Sequence, residues 1–295
     1  MTPSARVALF KTIGGVLEHL PERVDVALAA RVAAIVGSRA KGARGHLRDN
    51  VTRALASPGT EIDDELVENF VDRAFASYGQ YWAESAKLPA LKRSTITDRF
   101  VIGEGLEHLV AAKGLGKGVV IALPHIGSWE WGGAFLATLG MPMTAVAEEL
   151  DPPELFEWFR KKREAIGINI APLNVHAGTV LLQTLKDGGV VGLLCDRDIQ
   201  NNGIEVEFFG ERVAIPAGPA TLALRTGATL VGAACYAGPG RDHFAVITPP
   251  IPAERSGRLR DDVARVTQLI AFELEGLIRR APEQWHVLQP LFSEP

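Results

Sequence analysis

The chain has 295 residues, 47% of them hydrophobic, a formal net charge of −4 and two cysteines, so it can bury one large core or two modest ones. Low-complexity tracts and internal repeats are absent, which excludes a disordered chain or a repeat array. Cys195 and Cys235 both lie in apolar runs and offer neither a disulfide framework nor a metal-ligand spacing, so buried thiols in a reducing compartment are expected.

The first hundred residues read as helices. Val7, Leu9, Phe10, Ile13, Val16, Leu17 and Leu20 recur at roughly helical spacing. Residues 1–53 carry nine Lys or Arg against four acids, a net of +5, so the remainder carries −9. Such an arm suits an anionic membrane surface, or equally an ordinary helix that covers the core and leaves a solvated basic face. Asp25 and Arg31 break the longest apolar candidate, so no segment is expected to span a bilayer. The apolar runs are too short, and lack a following small-residue cleavage site, for a signal peptide to be expected. Nucleic acid is not expected as a partner, because the bulk of the chain is acidic and no recognition motif is present. Residues 64–82 form one apolar helical stripe, Leu88-Pro89 ends it, and residues 92–99 read as a polar connection.

From about Phe100 the texture becomes alternating. Strands are predicted at 119–123, 143–147, 168–173, 190–195, 204–209, 230–236 and 244–248. Helices are predicted at 154–166, opened by Asp151 and Pro152 and closed by Gly167, and at 177–186, 219–226 and 259–280. This order predicts an α/β fold with a mixed, largely parallel sheet, helices on both faces and an N-terminal helical arm. The expected organisation is one domain over 1–295: a helical, membrane-associating part at 1–99 and an α/β catalytic core at 100–295.

The candidate chemistry sits at strand ends. His125 and Glu130 follow the apolar run Val119–Leu123, at the end of a buried strand where such sheets open onto a crevice. Ser128 is a natural N-cap for the next helix, and Glu130 falls in its first turn, where the macrodipole keeps a carboxylate ionised. An ionised Glu beside an imidazole would orient the ring and fix its tautomer, making His125 a general base. The ordinary alternative is a His and a Glu five apart without chemistry. Arg163, late in a basic helix, is either a solvated residue that suits the dipole or a phosphate contact. Asp196-Arg197-Asp198 ends another apolar strand. It reads as a metal-binding pair, as a loop held by Arg197, or as a carboxylate that supports the base or positions an acceptor hydroxyl. Phe208 and Phe209 precede a Gly/Pro-rich turn at Gly218, as buried strand residues or as the lining of an acyl groove. No Gly-rich phosphate loop, GxSxG elbow or HExxH is present.

Taken together and in this order, these blocks resemble the lipid A biosynthesis acyltransferase family, which includes the actinobacterial phosphatidylinositol mannoside acyltransferases. His125-x4-Glu130 matches the family's His-x4-Asp/Glu motif, and Arg163 with Gly167 matches its middle block. Asp196-Arg197-Asp198, Phe208-Phe209-Gly210 and Gly218-Pro219-Ala220 to Ala228 match its third. Ala281-Pro282-Glu283-Gln284-Trp285 resembles the terminal block. The match covers most of residues 60–290. No N-terminal membrane helix like that of the Gram-negative enzymes is expected, and the basic arm is more similar to the mannoside branch.

The resemblance implies transfer of a long acyl chain from acyl-CoA to a mannose hydroxyl of a phosphatidylinositol mannoside, at the cytoplasmic face of the membrane as a peripheral protein. In that reading His125 is the base and Glu130 orients it. Arg163 steers a phosphate, and Asp196, Asp198, Phe208, Phe209 and Gly218 bind substrate. No metal or cofactor is expected beyond the acyl-CoA donor. A lipid A-type acceptor, a non-catalytic membrane-binding protein on the same fold, and a metal-dependent transferase built on Asp196 and Asp198 are the rival expectations.

Overall fold

A computed structural model describes residues 3–56 and 62–292. The side chains of Arg6, Glu22 and Arg23, which count towards the basic arm, lie outside the described residues. The described N-terminal part consists of helices: α1 (Pro3–His19), α2 (Glu22–Arg39), α3 (Lys41–Leu55), α4 (Asp64–Lys87) and the short α5 (Arg93–Arg99). Its axis is α4, capped by Asp63 accepting from the Glu65 amide. The helix outruns the predicted stripe by five residues, because Ala83 and Ala86 continue the buried face and Lys87 ends it in a buried ion pair with Asp25 of α2 (2.5 Å). Gly79 lets α2 close on α4: a Cβ there would lie 2.5 Å from the Ala29 carbonyl oxygen. The polar connection expected at 92–99 is instead largely the helix α5, because Ile96 buries itself with Leu88, Phe100 and Trp131.

The remaining elements alternate: β1 (Phe100–Glu104), α6 (Leu106–Gly114), β2 (Val119–Leu123), α7 (Trp129–Thr138), β3 (Met143–Ala147), α8 (Pro153–Ala165), β4 (Ile168–Pro172), α9 (Ala177–Lys186) and β5 (Val190–Leu194). After them come β6 (Ile204–Phe208), β7 (Glu211–Ile215), α10 (Gly218–Thr226), β8 (Thr229–Ala237), β9 (His243–Ile247) and α11 (Leu259–Arg279). Seven strands form one sheet in the order β1-β9-β8-β2-β5-β3-β4, parallel except for the β8–β9 pair. The mixed α/β sheet with an N-terminal helical part is therefore as expected from the sequence.

Strand β2 is central and buried along its whole length. Its side chains alternate between two cores. Val120 and Ala122 join Leu181 and Leu185 of α9, Ala220 and Ala223 of α10 and the buried face of α11, while Val119, Ile121 and Leu123 join Leu109, Trp129 and Leu136. Helices thus cover both faces.

Two strands have no counterpart in the prediction. β1 is an edge strand with only Phe100 buried, so it carries no readable alternation. β7 pairs with β6 as a separate hairpin through a two-residue turn, with φ of 52° at Phe209 and 79° at Gly210. The Asp151 cap is also corrected: Pro152 occupies the cap position of α8, with no side-chain capping bond.

Candidate active site

The site follows from strand register. β2 and β5 are parallel neighbours with Leu123 opposite Leu194, and the Cys195 amide donates to the Leu123 carbonyl (3.0 Å). Two residues beyond each strand's end, His125 and Asp196 meet. The His125 amide donates to Asp196 Oδ2 (2.8 Å), and ring Nδ1 lies 2.5 Å from Oδ1. Trp285 Nε1 donates to the same Oδ2 (2.8 Å). Asp196 is fully buried. Burial alone would raise its pKa, but the charge of His125 and the hydrogen bonds from His125 and Trp285 outweigh it and hold the carboxyl below the usual range.

The loop between β2 and α7 is fixed from both sides. The Gly127 amide donates to Gln284 O (2.9 Å) and the Ser128 amide to Cys235 O (2.9 Å). Gly127 has φ of 53°, and a Cβ there would lie 2.1 Å from the Cys235 carbonyl oxygen. The His286 amide donates to the His125 carbonyl (2.7 Å), so the C-terminal segment clamps His125 from behind. His286 packs edge-on against Tyr78 and its Nε2 meets Ser77 Oγ (2.9 Å). Burial, then the charge of His125, lowers its pKa to about 3, so it is neutral at neutral pH.

Several expectations are corrected here. The ring's carboxylate partner is Asp196, not Glu130. Glu130 is buried in an ion pair with Arg163 Nε (2.8 Å) and accepts from the Ser85 hydroxyl. Ser128 occupies the N-cap position of α7 without capping it, because its hydroxyl donates to Glu84 Oε2 (3.1 Å). Arg163 is not a free phosphate ligand: besides Glu130, it lies over the rings of Trp129 and Phe159. Asp198 accepts from the amides of Gln200 and Gly203 and so holds its own loop (3.0 and 2.7 Å). Asp196 and Asp198 are thus committed to different partners. Phe208 and Phe209 are buried against Trp285 rather than along a groove.

His125, 28% exposed at its side chain, opens onto a cavity of about 870 Å³. One wall is apolar, from Leu181, Leu182, Leu193 and Leu222, with Gly218 and Pro219 at the start of α10. The other carries Tyr78, Tyr81 and Trp82 of α4, with Arg163, Arg197 and Asp198 also lining the space. Because Nδ1 is engaged by Asp196, Nε2 is the ring nitrogen available to a ligand. Arg197 has a buried Nε without a hydrogen-bond partner, and its nearest carboxylate, Glu148, is 4.0 Å away. It is the cation that sequence reasoning passed over, since an Arg between two acids looks like a loop clasp. Burial pushes both thiols up, Cys235 to about 12, so neither is a nucleophile at neutral pH.

The model of the bacterial lipid A biosynthesis acyltransferase family matches residues 4–294. A phosphatidylinositol mannoside acyltransferase of Mycobacterium tuberculosis is 37% identical over 254 residues, covering 84% of this chain and 77% of that protein. The Mycolicibacterium smegmatis protein of the same name is 34% identical over 252 residues, covering 84% and 79%. A lipid A biosynthesis acyltransferase of Haemophilus influenzae is 24% identical over 282 residues, covering 91% and 81%.

Proposed function

Because the chain belongs to the bacterial lipid A biosynthesis acyltransferase family, we propose that it moves a long acyl chain from acyl-CoA to a mannose hydroxyl of a phosphatidylinositol mannoside. The observation that carries this reading is the His125–Asp196 pair at the mouth of a large, half-apolar cavity. His125 Nε2 removes the proton from the acceptor hydroxyl as its oxygen attacks the thioester carbonyl. The carbon–sulfur bond then breaks, and the proton leaves with the CoA thiol. Asp196 holds the ring in the Nδ1–H tautomer and stabilises the imidazolium that forms in between. Positioned general-base catalysis of this kind contributes about 10²–10⁴-fold in rate.

Arg197 takes the phosphate-steering role expected of Arg163, since it lines the cavity and its guanidinium lies no closer than 4.0 Å to Glu148. Arg163, paired with Glu130, contributes to the wall of the same cavity. The apolar side of the cavity, from Leu181 to Leu222, accommodates the acyl chain. No residue supplies a covalent acyl carrier in this scheme: the Ser128 hydroxyl is buried on Glu84.

Attachment to an anionic membrane surface is part of the same reading. It is supported by Leu9 and Val16 of α1 and by Leu28, Val32, Ile35 and Val36 of α2, all exposed on helices that also bear basic residues. Among the described residues, no helix is long and apolar enough to cross a membrane.

The test is acyl transfer by wild type and His125→Ala, given palmitoyl-CoA with a phosphatidylinositol mannoside or with a lipid A precursor, each with and without chelator. The expected outcome is turnover with the mannoside, insensitive to chelator and reduced at least about 100-fold in the variant. Full activity in His125→Ala would overturn the base assignment, and turnover of the lipid A precursor alone would overturn the acceptor.

A further inference from the structure

A second cavity, of about 220 Å³, lies between α1, α4 and α8. Phe10, Ile13 and Leu17 of α1 form one side, and Trp82, Trp158 and Phe159 the other. At its inner end stand Glu130 and Arg163, each neutralised by the other. Near Leu17, Lys162 is paired with Glu18 (2.7 Å) and lies over the Trp158 ring. The charges around the cavity are therefore already spent within the protein, and what it offers a ligand is apolar surface.

Two relations give this space a direction. Ile13 lines it while remaining 49% exposed, so the cavity reaches the surface on α1, beside the exposed Leu9 and Val16. Trp82, Phe159 and Arg163 line both this cavity and the one that contains His125, so the two share a wall. A ligand with one part in each must combine a polar group that reaches His125 with an alkyl tail, and the tail must enter from the side where α1 exposes its apolar residues.

We infer that the cavity under α1 holds one alkyl tail of the lipid acceptor, separately from the donor's acyl chain. This assignment rests on the acyltransferase reading with a lipid acceptor, and it deepens that reading by recognising the acceptor through its tail as well as its headgroup. A donor chain is the less suitable occupant, because the apolar wall of the catalytic cavity already stands beside His125. The tail's contribution scales with the methylene groups it buries.

The experiment is photo-crosslinking with the full chain in mixed micelles, reading labelled peptides by mass spectrometry. One probe is a phosphatidylinositol with a diazirine at the end of an alkyl tail, and the other is an acyl-CoA with the same group. The lipid probe is expected to label α1 and the Trp158-Phe159 segment, and the acyl-CoA probe the Leu181-Leu182 segment. Leu17→Trp and Ala86→Leu fill the space from opposite sides and should each lower labelling by the lipid probe at α1 at least about tenfold, roughly what excluding two methylene groups from an apolar site costs. A melting temperature for each variant shows that it folds, and the second variant stands if the first does not.

Labelling of α1 by the acyl-CoA probe in place of the lipid would overturn the inference, as would labelling by the lipid confined to the catalytic cavity. So would undiminished labelling in both variants. No turnover is needed, so a protein labelled as expected but inactive with the mannoside would count against the proposed reaction and not against the tail site.

Discussion

The strand ends at β2 and β5 and the helices α1 and α2 solve opposite problems. At the strand ends the His125–Asp196 pair is held by several bonds: Asp196 takes three donors, and the His125 carbonyl receives the His286 amide. On α2, Leu28, Val32, Ile35 and Val36 leave about half or more of their surface exposed. The contrast fits the two roles proposed for these regions. Proton transfer demands hydrogen-bond distances between particular atoms, which a register of parallel strands supplies. Contact with a lipid surface needs only a face of suitable chemistry, because the partner is fluid.

The largest effect that can break this comparison comes from exchanging carboxylates. Asp196→Asn keeps the shape but removes the charge that stabilises the imidazolium, and should lower kcat by about 10²–10⁴-fold. Glu130→Gln should act mainly on stability, because it strips the partner from the largely buried Arg163, a loss of about 3–5 kcal/mol for a fully buried pair and less here. Urea titrations alongside kinetics separate the two. A Glu130→Gln variant with the greater loss of kcat at unchanged stability would restore Glu130 as the group that supports the base.

A smaller effect tests the other region. Val32→Glu with Ile35→Glu places two acids on the exposed face of α2 and should weaken binding to anionic vesicles by about tenfold or more, measured by co-sedimentation. The remaining binding should fall further as salt is added. Vesicle binding equal to wild type at low salt would show that this face is not the one that meets lipid.

A pH effect probes the clamp behind His125. The pKa of His286 is depressed to about 3 in the folded chain against an ordinary value of 6.5. Below pH 6.5 the unfolded chain therefore binds a proton that the folded chain refuses, and stability falls with pH, by up to about 1.4 kcal/mol per unit until pH nears 3. Replacing the group with a non-titrating ring, His286→Phe, should flatten the decline in melting temperature between pH 7 and pH 5. An unchanged slope would place the acid sensitivity elsewhere.

Much of this is legible in one dimension. Buried parallel strands are continuous apolar runs, so β2, β3 and β5 stand out, and His125 and Asp196 follow two of them directly. The edge strand β1 is not legible because only Phe100 is buried, and β7 because it offers only two large apolar positions, Val213 and Ile215, against three in β6 (Ile204, Val206 and Phe208). Phe208 and Phe209 pass for groove residues because aromatics before a turn suit either a groove or a core. Only the hairpin's packing on Trp285 distinguishes the two.

The residues alone are enough to read the class of fold, the two strand ends that hold the candidate site and the basic, apolar character of the N-terminal helices. These depend on periodicity and composition, which are local. Tertiary structure alone decided the partners. Asp196 lies 71 residues from His125 and reaches it through the pairing of β2 with β5, while Glu130, five residues away, is carried by the turn of α7 to Arg163. Closeness along the chain is a poor guide to which carboxylate faces an imidazole, because strand register and helix direction set where each side chain ends.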